Sequence, residues 1–424
     1  MLYTEKLLAE LERTRDHFAS YSERYGKERG DWRNALARLG ADYPNAAALR
    51  KALDAALATA ERPAAAGALP TSEYDRWRAL GQPGAPALPF GRTFAHHGES
   101  RAWAEGIRGV TTFAVDGSQL LPWRDASVPV ALVQAGIFEN PHLPQAPYLK
   151  DVKMALLTPE ELLVSEPEMM NARTNEAAGY SERIVHLRRF ELEVATLVDR
   201  LDHHAARRQA GDTTPVVALF DGSLIVSFAL KMPPPYPDRY AAAAQRLLDA
   251  SRRTHIPLLG YIDTSYARDT ITMLRALSGV SGDELPPPRG IHDALLWGDA
   301  LAWGDRTPAF LSAREDLSAM GYRGGADAVA FVYLRAASDR PPARVEFPAW
   351  VLEDGLLDQA MDTLRAEIIT GQGYPYSIEA ADAVAVISAE DRARFYALFQ
   401  QFAEREGLDF TFSRKALSKS RRRV

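Results

Sequence analysis

The sequence contains no cysteine. That absence excludes disulfides, cysteine-zinc sites, iron–sulfur clusters and thiol nucleophiles, and it is consistent with a reducing cytoplasm. Long apolar runs are also missing, since no segment approaches the roughly 18 residues that a membrane-spanning helix needs. Charged residues enter the N-terminal apolar pattern from Glu5 onward, so we expect neither a signal peptide nor a membrane span. Any catalytic or metal chemistry must therefore depend on carboxylates, histidine, hydroxyls or lysine.

The charge balance is close to neutral for a chain of this size. The 424 residues are 46% hydrophobic and carry a formal net charge of −6, which excludes a disordered protein and predicts two or three domains. A pI near 5.9 argues against a protein that coats nucleic acid by bulk charge. A local basic surface on an acidic body remains compatible with these totals.

The N-terminal region reads as helical. Leucines and alanines recur at three- and four-residue spacing over residues 1–62, which predicts an amphipathic hairpin that packs on the body or on a second subunit, or else a partner-docking arm. The stretch PAAAGALPTS begins a change of composition, and we assign 63–104 to a linker and connecting segment.

The central region alternates between strand and helix patterns. Three apolar runs at 110–115, 128–138 and 148–157 predict a meander of antiparallel strands. A long helix follows over about 175–208, and the run VVALF (216–220) has the pattern of a buried parallel strand. Further on, the sequence predicts helices at 239–253, 266–278, 351–369 and 389–405 and strands at 256–262 and 328–336.

Two short strings match each other, VDGSQ with Asp116 and Ser118, and FDGSL with Asp221 and Ser223. Each follows an apolar run, so we expect each aspartate at the last position of a strand and each following glycine in a sharp turn. One DGS is usually only a turn, but two at equivalent strand ends favour a site. Adjacent carboxylates repel unless a cation lies between them, and oxygen ligands select magnesium or manganese.

The helix between the two aspartates is the expected source of a third carboxylate. Glu191 lies at the edge of its apolar stripe, and Glu193 is the second choice because it is displaced by two residues. The alternative for Glu191 is a salt bridge to Arg188 or to another flanking arginine.

The order of these elements resembles the ribonuclease H-like fold, an α/β fold with a mixed sheet flanked by helices. VDGSQ, a helix with one inward glutamate, FDGSL and the later string GYPYSIEAAD (373–382) together resemble the NurA nuclease family, bacterial branch. The resemblance implies metal ligands at Asp116, Glu191 and Asp221. In the late motif Tyr374 fits the family, but Asp382 stands where the family has histidine.

The resemblance also implies a function. NurA proteins are divalent-metal-dependent 5′→3′ exonucleases and endonucleases that act on DNA in double-strand-break end resection. They are dimers and work with a hexameric HerA-type translocase. For this chain we therefore expect Mn²⁺ or Mg²⁺, linear double-stranded and single-stranded DNA as substrate, a homodimer, a HerA-like ATPase partner and a cytoplasmic, nucleoid-associated location. The expected chemistry is two-metal phosphodiester hydrolysis, with a nuclease domain at 105–413.

Basic residues are concentrated at two places. Arginines that include Arg188 and Arg189 decorate the Glu191 helix, and residues 414–424 form a basic tail with no acid after Asp409. Both are candidates for contacts with DNA phosphates, together with the serines Ser118 and Ser223, although a basic tail is often only a solvated end.

Two other functions remain open from the sequence. An actin- or sugar-kinase-like ATPase shares the fold core but usually carries a second set of Gly-rich strand turns, whereas DGLL (354–357) lies within a helix pattern. A non-catalytic DNA-repair subunit with a decayed site is the other alternative, and Asp382 is the residue that suggests it.

Overall fold

A computed structural model of the chain describes residues 3–59, 65–123, 126–163, 180–281, 285–322, 324 and 328–409. The α-helices of these ranges are α1 (Thr4–Asp42), α2 (Ala46–Ala58), α3 (Ser72–Ala79), α4 (His97–Ala104), α5 (Pro159–Leu162), α6 (Glu182–Gln209), α7 (Tyr236–Thr254), α8 (Asp269–Ser281), α9 (Asp293–Trp297), α10 (Asp316–Ala319), α11 (Trp350–Glu353), α12 (Leu357–Thr370), α13 (Tyr376–Ala385) and α14 (Ala389–Glu406). The strands are β1 (Gly67–Pro70), β2 (Thr111–Leu120), β3 (Ala131–Asn140), β4 (Leu149–Leu157), β5 (Val216–Asp221), β6 (Leu258–Ile262), β7 (Phe310–Ala313), β8 (Val329–Leu334) and β9 (Ala343–Pro348). Short 3-10 helices cover Glu105–Ile107 and Ser227–Lys231. None of the described helices is long and apolar enough to cross a membrane.

The chain folds into two compact units that interleave along the sequence. The first unit contains residues 1–93, 262–317 and 328–346, and the second contains 94–261, 318–327 and 347–424. The nuclease domain expected over 105–413 is therefore divided between the units, because the segments 262–317 and 328–346 pack with the N-terminal helices.

The first unit has a core built from the N-terminal helices and the strands β1, β7, β8 and β9, which are neighbours in that order. The segment 63–104 was expected to be a linker, but it supplies β1, α3 and α4. The physical reason is burial, since Tyr74 and Trp77 of α3 are 0% and 1% exposed and pack beside Trp32 of α1. The linker prediction relied on the Pro-, Ala- and Gly-rich composition at the start of this segment, which does not indicate that two aromatic residues further along are buried.

The second unit contains the predicted mixed sheet. Its strands are neighbours in the order β6-β5-β2-β3-β4. β2, β3 and β4 form the expected antiparallel meander, and β5 is parallel to both β2 and β6. Helix α6 connects the meander side of the chain to β5 and packs on β2 and β3, with α7 on its other side. This mixed α/β arrangement confirms the ribonuclease H-like fold class that the order of elements predicted.

Two helices differ from the sequence expectation. α6 begins at Glu182, and the earlier part of the predicted helix at 175–179 lies outside the described residues. The single helix expected over 351–369 is divided into α11 and α12, because Gly355 between them adopts a φ of +72° that interrupts helical backbone.

Helix α13 lies directly on β3, and a glycine makes this close approach possible. Gly136 pairs across the strands with Asp116. A Cβ on Gly136 would lie 2.5 Å from the backbone nitrogen of Ala385 and 2.8 Å from the carbonyl oxygen of Ala381. Because both atoms belong to the backbone of α13, the helix itself would have to move.

We predict that Gly136→Ala lowers the free energy of unfolding by about 1–3 kcal/mol, the usual cost of overpacking a buried site. Gly106→Ala is the matched control, since a Cβ there meets no atom within 4 Å. Urea denaturation of the wild type and both variants measures the difference. Equal midpoints for Gly136→Ala and the wild type would contradict the packing described here.

Candidate active site

The two DGS aspartates lie side by side at one edge of the sheet. The parallel pairing of β2 with β5 ends at Val115 opposite Phe220, so Asp116 and Asp221 are the next residues on neighbouring strands. Asp221 is the last residue of β5, as predicted. The expectation that Asp116 ends its strand is wrong, because β2 continues to Leu120 through its antiparallel pairing with β3.

The glycines of the two motifs have different roles. Gly222 adopts a φ of +126° and makes the predicted turn, in which Ser223 Oγ accepts a hydrogen bond from Ile225 N at 3.1 Å. Gly117 makes no turn and stays in extended β2. Its missing side chain instead leaves room for the Glu193 carboxylate, which occupies the position that a Cβ on residue 117 would take. A larger residue at 117 would displace that carboxylate.

The buried glutamate of α6 is Glu193, the second choice from the sequence. Glu193 is 6% exposed and lies against Gly117 of β2. The charges of Asp116 and Asp221 make a small contribution to the rise in its pKa, so it lies near both aspartates. The signal in the sequence was its position four residues before Leu197 and eight before Leu201, both fully buried. α6 packs on the sheet as well as on α7, so it has two buried sides, and a single stripe did not identify the side that faces β2.

Glu191, the first choice, forms salt bridges with arginines, which was the alternative that the sequence left open. Arg239 donates to both of its carboxylate oxygens at 2.9 and 2.8 Å, and Arg188 donates to Oε2 at 3.2 Å. The structure therefore does not bring Glu191 to Asp116 and Asp221. Two residues along a helix correspond to a rotation of roughly 200°, which directs Glu191 and Glu193 to different neighbours.

Two residues of the late motif GYPYSIEAAD, Tyr374 and Asp382, lie near the DGS aspartates. Asp382 of α13 is near enough to Asp116 to contribute to the rise in the pKa of that carboxyl group. Tyr374 donates a hydrogen bond from its hydroxyl to Asp221 Oδ1 at 2.9 Å, and its ring packs edge-on against Tyr261 at 5.2 Å. Asp382 thus lies near Asp116, and Tyr374 contacts Asp221.

Burial, and to a smaller extent the neighbouring carboxylates, raises the pKa of two of these acids. Burial raises the pKa of Asp116 to about 6; the Gly117 N–H opposes this shift, and the Asp382 and Asp221 carboxyls add to it. Burial likewise raises the pKa of Glu193 to about 7, with Arg189 opposing the shift and Asp116 and Asp221 adding to it. Perturbed pairs of this kind in one cluster are characteristic of functional sites.

The predicted DNA-contacting residues divide into two groups. Arg189 belongs to the site, because its Nη1 donates to Gly117 O at 3.0 Å and its Nε lies 3.3 Å from Glu193 Oε1. Ser118 follows Asp116 by two residues on β2, so the two side chains share one face of the sheet. Arg188 is engaged with Glu191 instead, and Ser223 closes its own turn.

Other polar residues lie elsewhere or outside the described residues. Asp263, which follows β6, is 3.3 Å from Arg340 and belongs to the first unit. His204 is a buried histidine whose Nε2 lies 3.0 Å from Glu139 Oε2. The basic tail at 414–424 is outside the described residues.

The donor set suits a hard divalent cation. Asp116, Asp221, Asp382 and Glu193 present only oxygen atoms, which are the ligands that magnesium and manganese prefer. Glu193 Oε1 is buried and makes no hydrogen bond with any described residue, and its ion pair with Arg189 Nε at 3.3 Å leaves it able to accept a cation as well. In the part of the chain that the structure describes, no three carboxylate or imidazole side chains already form a metal-ligand group, so binding requires some of these side chains to rotate.

A sequence profile of the NurA domain matches residues 110–387, well over half of the chain. The chain belongs to the NurA family. This match confirms the resemblance drawn from the DGS strings, and it supports a nuclease. A comparison with curated protein sequences finds no match.

Solved structures similar to this chain include a NurA crystal structure with manganese, at 10% identity and a TM-score of 0.37, over 69% of this chain and 89% of that chain. The catalytic domain of human endonuclease V is similar at 14% identity and a TM-score of 0.31, over 74% of this chain and 95% of that chain. Endonuclease V from Bacillus subtilis is similar at 14% identity and a TM-score of 0.30, over 70% of this chain and 84% of that chain.

The raised pKa values predict how stability depends on pH in metal-free protein. The folded state keeps protons on Asp116 and Glu193 that the unfolded chain has released, so the contribution of these two groups to stability is greatest at low pH and falls as pH rises toward 7. Glu193→Gln should flatten this fall and stabilise the protein at pH 8 by about 1–3 kcal/mol. Urea midpoints in EDTA between pH 5 and 8 measure the effect.

Glu191→Gln is the control for this experiment, because the Glu191 carboxylate accepts hydrogen bonds from Arg239 and is not part of the carboxylate cluster. It should keep the pH dependence of the wild type. A Glu193→Gln variant whose stability falls with pH as steeply as the wild type would contradict the assigned electrostatics.

Proposed function

We propose that this chain is a divalent-metal-dependent deoxyribonuclease that hydrolyses phosphodiesters. The observation that supports the proposal is the adjacent position of Asp116 and Asp221 at the end of the β2–β5 pairing, with Glu193 of α6 against Gly117 and Asp382 of α13 near Asp116. Such a cluster of carboxylates is electrostatically unfavourable without positive charge, which gives it a reason to bind Mn²⁺ or Mg²⁺. Membership of the NurA family supports DNA as the substrate.

Asp116 and Asp221 are the proposed central metal ligands, with Glu193 in place of Glu191 as the ligand from the helix. When bound, two divalent ions lower the pKa of the attacking water and stabilise the leaving oxygen. Asp382 adds a further oxygen ligand next to Asp116.

The surrounding residues position this set. Tyr374 holds Asp221 by a hydrogen bond to Oδ1, which restricts the rotation of the carboxylate. Arg189 is bound to the Gly117 carbonyl and stands beside Glu193, so it offers a guanidinium group to a substrate phosphate at the same place. Ser118 lies on the Asp116 face of β2 and is proposed as a second phosphate contact, with Ser223, Arg188 and the basic tail as more distant ones.

The family relationship also supports the finer parts of the proposal. They are 5′→3′ exonuclease and endonuclease activity on linear double-stranded and single-stranded DNA, a homodimer, and a HerA-like hexameric ATPase as partner. The proposed role is end resection at double-strand breaks, in the cytoplasm at the nucleoid. Co-purification of the chain with a HerA-like ATPase, followed by mass measurement of the complex, tests the assembly.

We predict that Asp116→Asn, Asp221→Asn and Glu193→Gln each reduce cleavage of labelled linear DNA in Mn²⁺ by more than about 100-fold, because each removes a metal ligand. Glu191→Gln is the matched control on the same helix and should retain activity within a few-fold. EDTA should abolish wild-type cleavage, and added Mn²⁺ should restore it.

Two outcomes would overturn the proposal. Full activity in the Asp116→Asn or Asp221→Asn variant would show that the substituted aspartate is not a required metal ligand. Turnover of ATP without DNA, together with intact DNA in the cleavage assay, would favour an ATPase of the actin or sugar-kinase type instead.

Tyr374→Phe tests the positioning of Asp221. Loss of the hydroxyl should lower kcat about tenfold and raise the Mn²⁺ concentration needed for half-maximal activity, because the carboxylate is no longer held. Tyr376→Phe is the control, since that ring packs on Phe138, 5.6 Å away between ring centroids. An unchanged Mn²⁺ requirement in Tyr374→Phe would contradict the positioning role.

A further inference from the structure

Glu367 of α12 is a buried carboxylate that the proposed mechanism does not use. Its side chain is 0% exposed. Its Oε2 accepts a hydrogen bond from Ser377 N at 2.6 Å, and its Oε1 accepts one from Thr112 Oγ1 at 2.8 Å. One carboxylate therefore joins α12, the first turn of α13 and β2, all within the second unit.

His142, two residues after the end of β3, lies against the same carboxylate. Its Nε2 is 2.9 Å from Glu367 Oε1, and its Nδ1 is 2.7 Å from Val110 O. Because a carbonyl oxygen only accepts hydrogen bonds, Nδ1 carries a proton. A neutral ring would then bring the Nε2 lone pair against the carboxylate, so the imidazolium form fits this position. A cationic partner and two donors are what a buried carboxylate requires.

The contact with Ser377 takes the place of an N-cap for α13. Pro375 stands at the N-cap position and makes no side-chain capping hydrogen bond. The first N–H groups of a helix have no partner within the helix, and negative charge near them is stabilising. Glu367 supplies both the acceptor and the charge, from a position ten residues earlier in the chain.

The same hydrogen bond closes the turn that carries Tyr374. At the start of the turn, Gly371 N donates to Glu367 O at 2.9 Å. A Cβ on Gly371 would lie 2.1 Å from Tyr374 O, so the turn is closely packed between its two ends. Tyr374 donates its hydroxyl to Asp221 Oδ1 from within this turn.

Helix α13 is also held at its other end, and Asp382 lies between the two attachments. Gln134 of β3 donates from Nε2 to Ala385 O at 2.6 Å. Thr112 precedes Asp116 by four residues on β2, so both side chains share the face on which α13 packs. A shift in the start of α13 would therefore move Asp382 relative to Asp116.

We propose that Glu367 is a positioning residue for the metal site. It fixes the turn and the start of α13, and so holds Tyr374 on Asp221 and Asp382 near Asp116. The inference rests on the proposed function for the identity of the bound ion. It adds a residue outside the carboxylate cluster on which affinity for that ion depends, since partners that orient metal ligands change affinity about 10–100-fold when substituted.

Mn²⁺ binding measured without DNA tests this role separately from catalysis. Titrations of the full chain, followed by the electron paramagnetic resonance signal of free Mn²⁺, should show about tenfold weaker binding by Glu367→Gln. The reason is that the amide nitrogen of glutamine cannot accept the hydrogen bonds that Thr112 and Ser377 donate.

Glu73→Gln is the matched control. Glu73 is a 4% exposed carboxylate that is paired with Arg306 in the first unit, so this substitution also breaks a buried ion pair. It should lower the urea midpoint and leave Mn²⁺ affinity unchanged. An equal loss of Mn²⁺ affinity in Glu73→Gln would contradict a specific role for Glu367.

Two milder substitutions keep the test decisive if Glu367→Gln folds poorly. Thr112→Val replaces the hydroxyl by a methyl group of similar shape and should weaken Mn²⁺ binding a few-fold. Thr112→Ser keeps the hydroxyl that donates to Glu367 and should bind Mn²⁺ like the wild type. Equal losses in the two variants would show an effect of packing and contradict the proposal.

Coupling to the positioned groups separates this role from general destabilisation. In a chain that already carries Tyr374→Phe and Asp382→Asn, Glu367→Gln should have no further effect on Mn²⁺ affinity, because the groups it positions are gone. The same loss in both backgrounds, or wild-type affinity in Glu367→Gln, would overturn the proposal.

DNA cleavage then distinguishes this inference from the proposed function. Coupled loss of Mn²⁺ affinity in a chain that does not cleave linear DNA would leave the positioning role and remove the nuclease. Cleavage by the wild type with unchanged Mn²⁺ affinity in Glu367→Gln would leave the nuclease and remove the positioning role.

Discussion

Repulsion between carboxylates at one edge of the sheet is the constraint on which the rest of the second unit depends. The parallel register of β2 and β5 places Asp116 and Asp221 on adjacent strands, and α6 and α13 then add Glu193 and Asp382. A fold optimised only for stability would not gather four acids at a partly buried edge. Burial, with a smaller contribution from the neighbouring carboxylates, raises the pKa of Asp116 and of Glu193, and a divalent cation is the ordinary means of offsetting such a cost.

Two glycines allow the helices to approach the sheet closely enough for this cluster to form. Gly117 leaves the space in β2 that the Glu193 carboxylate fills, and Gly136 lets α13 lie on β3 directly opposite Asp116. The requirement in both cases is steric, since neither residue has a positive φ. The same glycine that resembles a turn residue in the sequence is thus a packing residue in the structure.

The extension of β2 beyond Asp116 shapes a pocket of about 510 Å³ in the second unit. If β2 had ended at the aspartate, as β5 does, the chain would have turned away there and Gln119 would not line a pocket beside the start of α6. Asp116 and Gln119 are three residues apart on the strand, so their side chains point to opposite faces of the sheet.

The local sequence determined the parts of the fold that depend on periodicity and on strand-end chemistry. It predicted the antiparallel meander, the long helix, the buried strand that ends in Asp221 and the pairing of two DGS motifs, because apolar alternation and helical spacing are short-range properties. Tertiary structure alone decided which glutamate faces the cluster, since α6 is covered on two sides and only the position of β2 distinguishes them. It also decided that β2 continues past Asp116, because the pairing partner there is β3, and that 67–79 belongs to a core, because burial of Tyr74 and Trp77 requires distant helices. These features depend on contacts between residues far apart in the chain, which a local pattern does not contain.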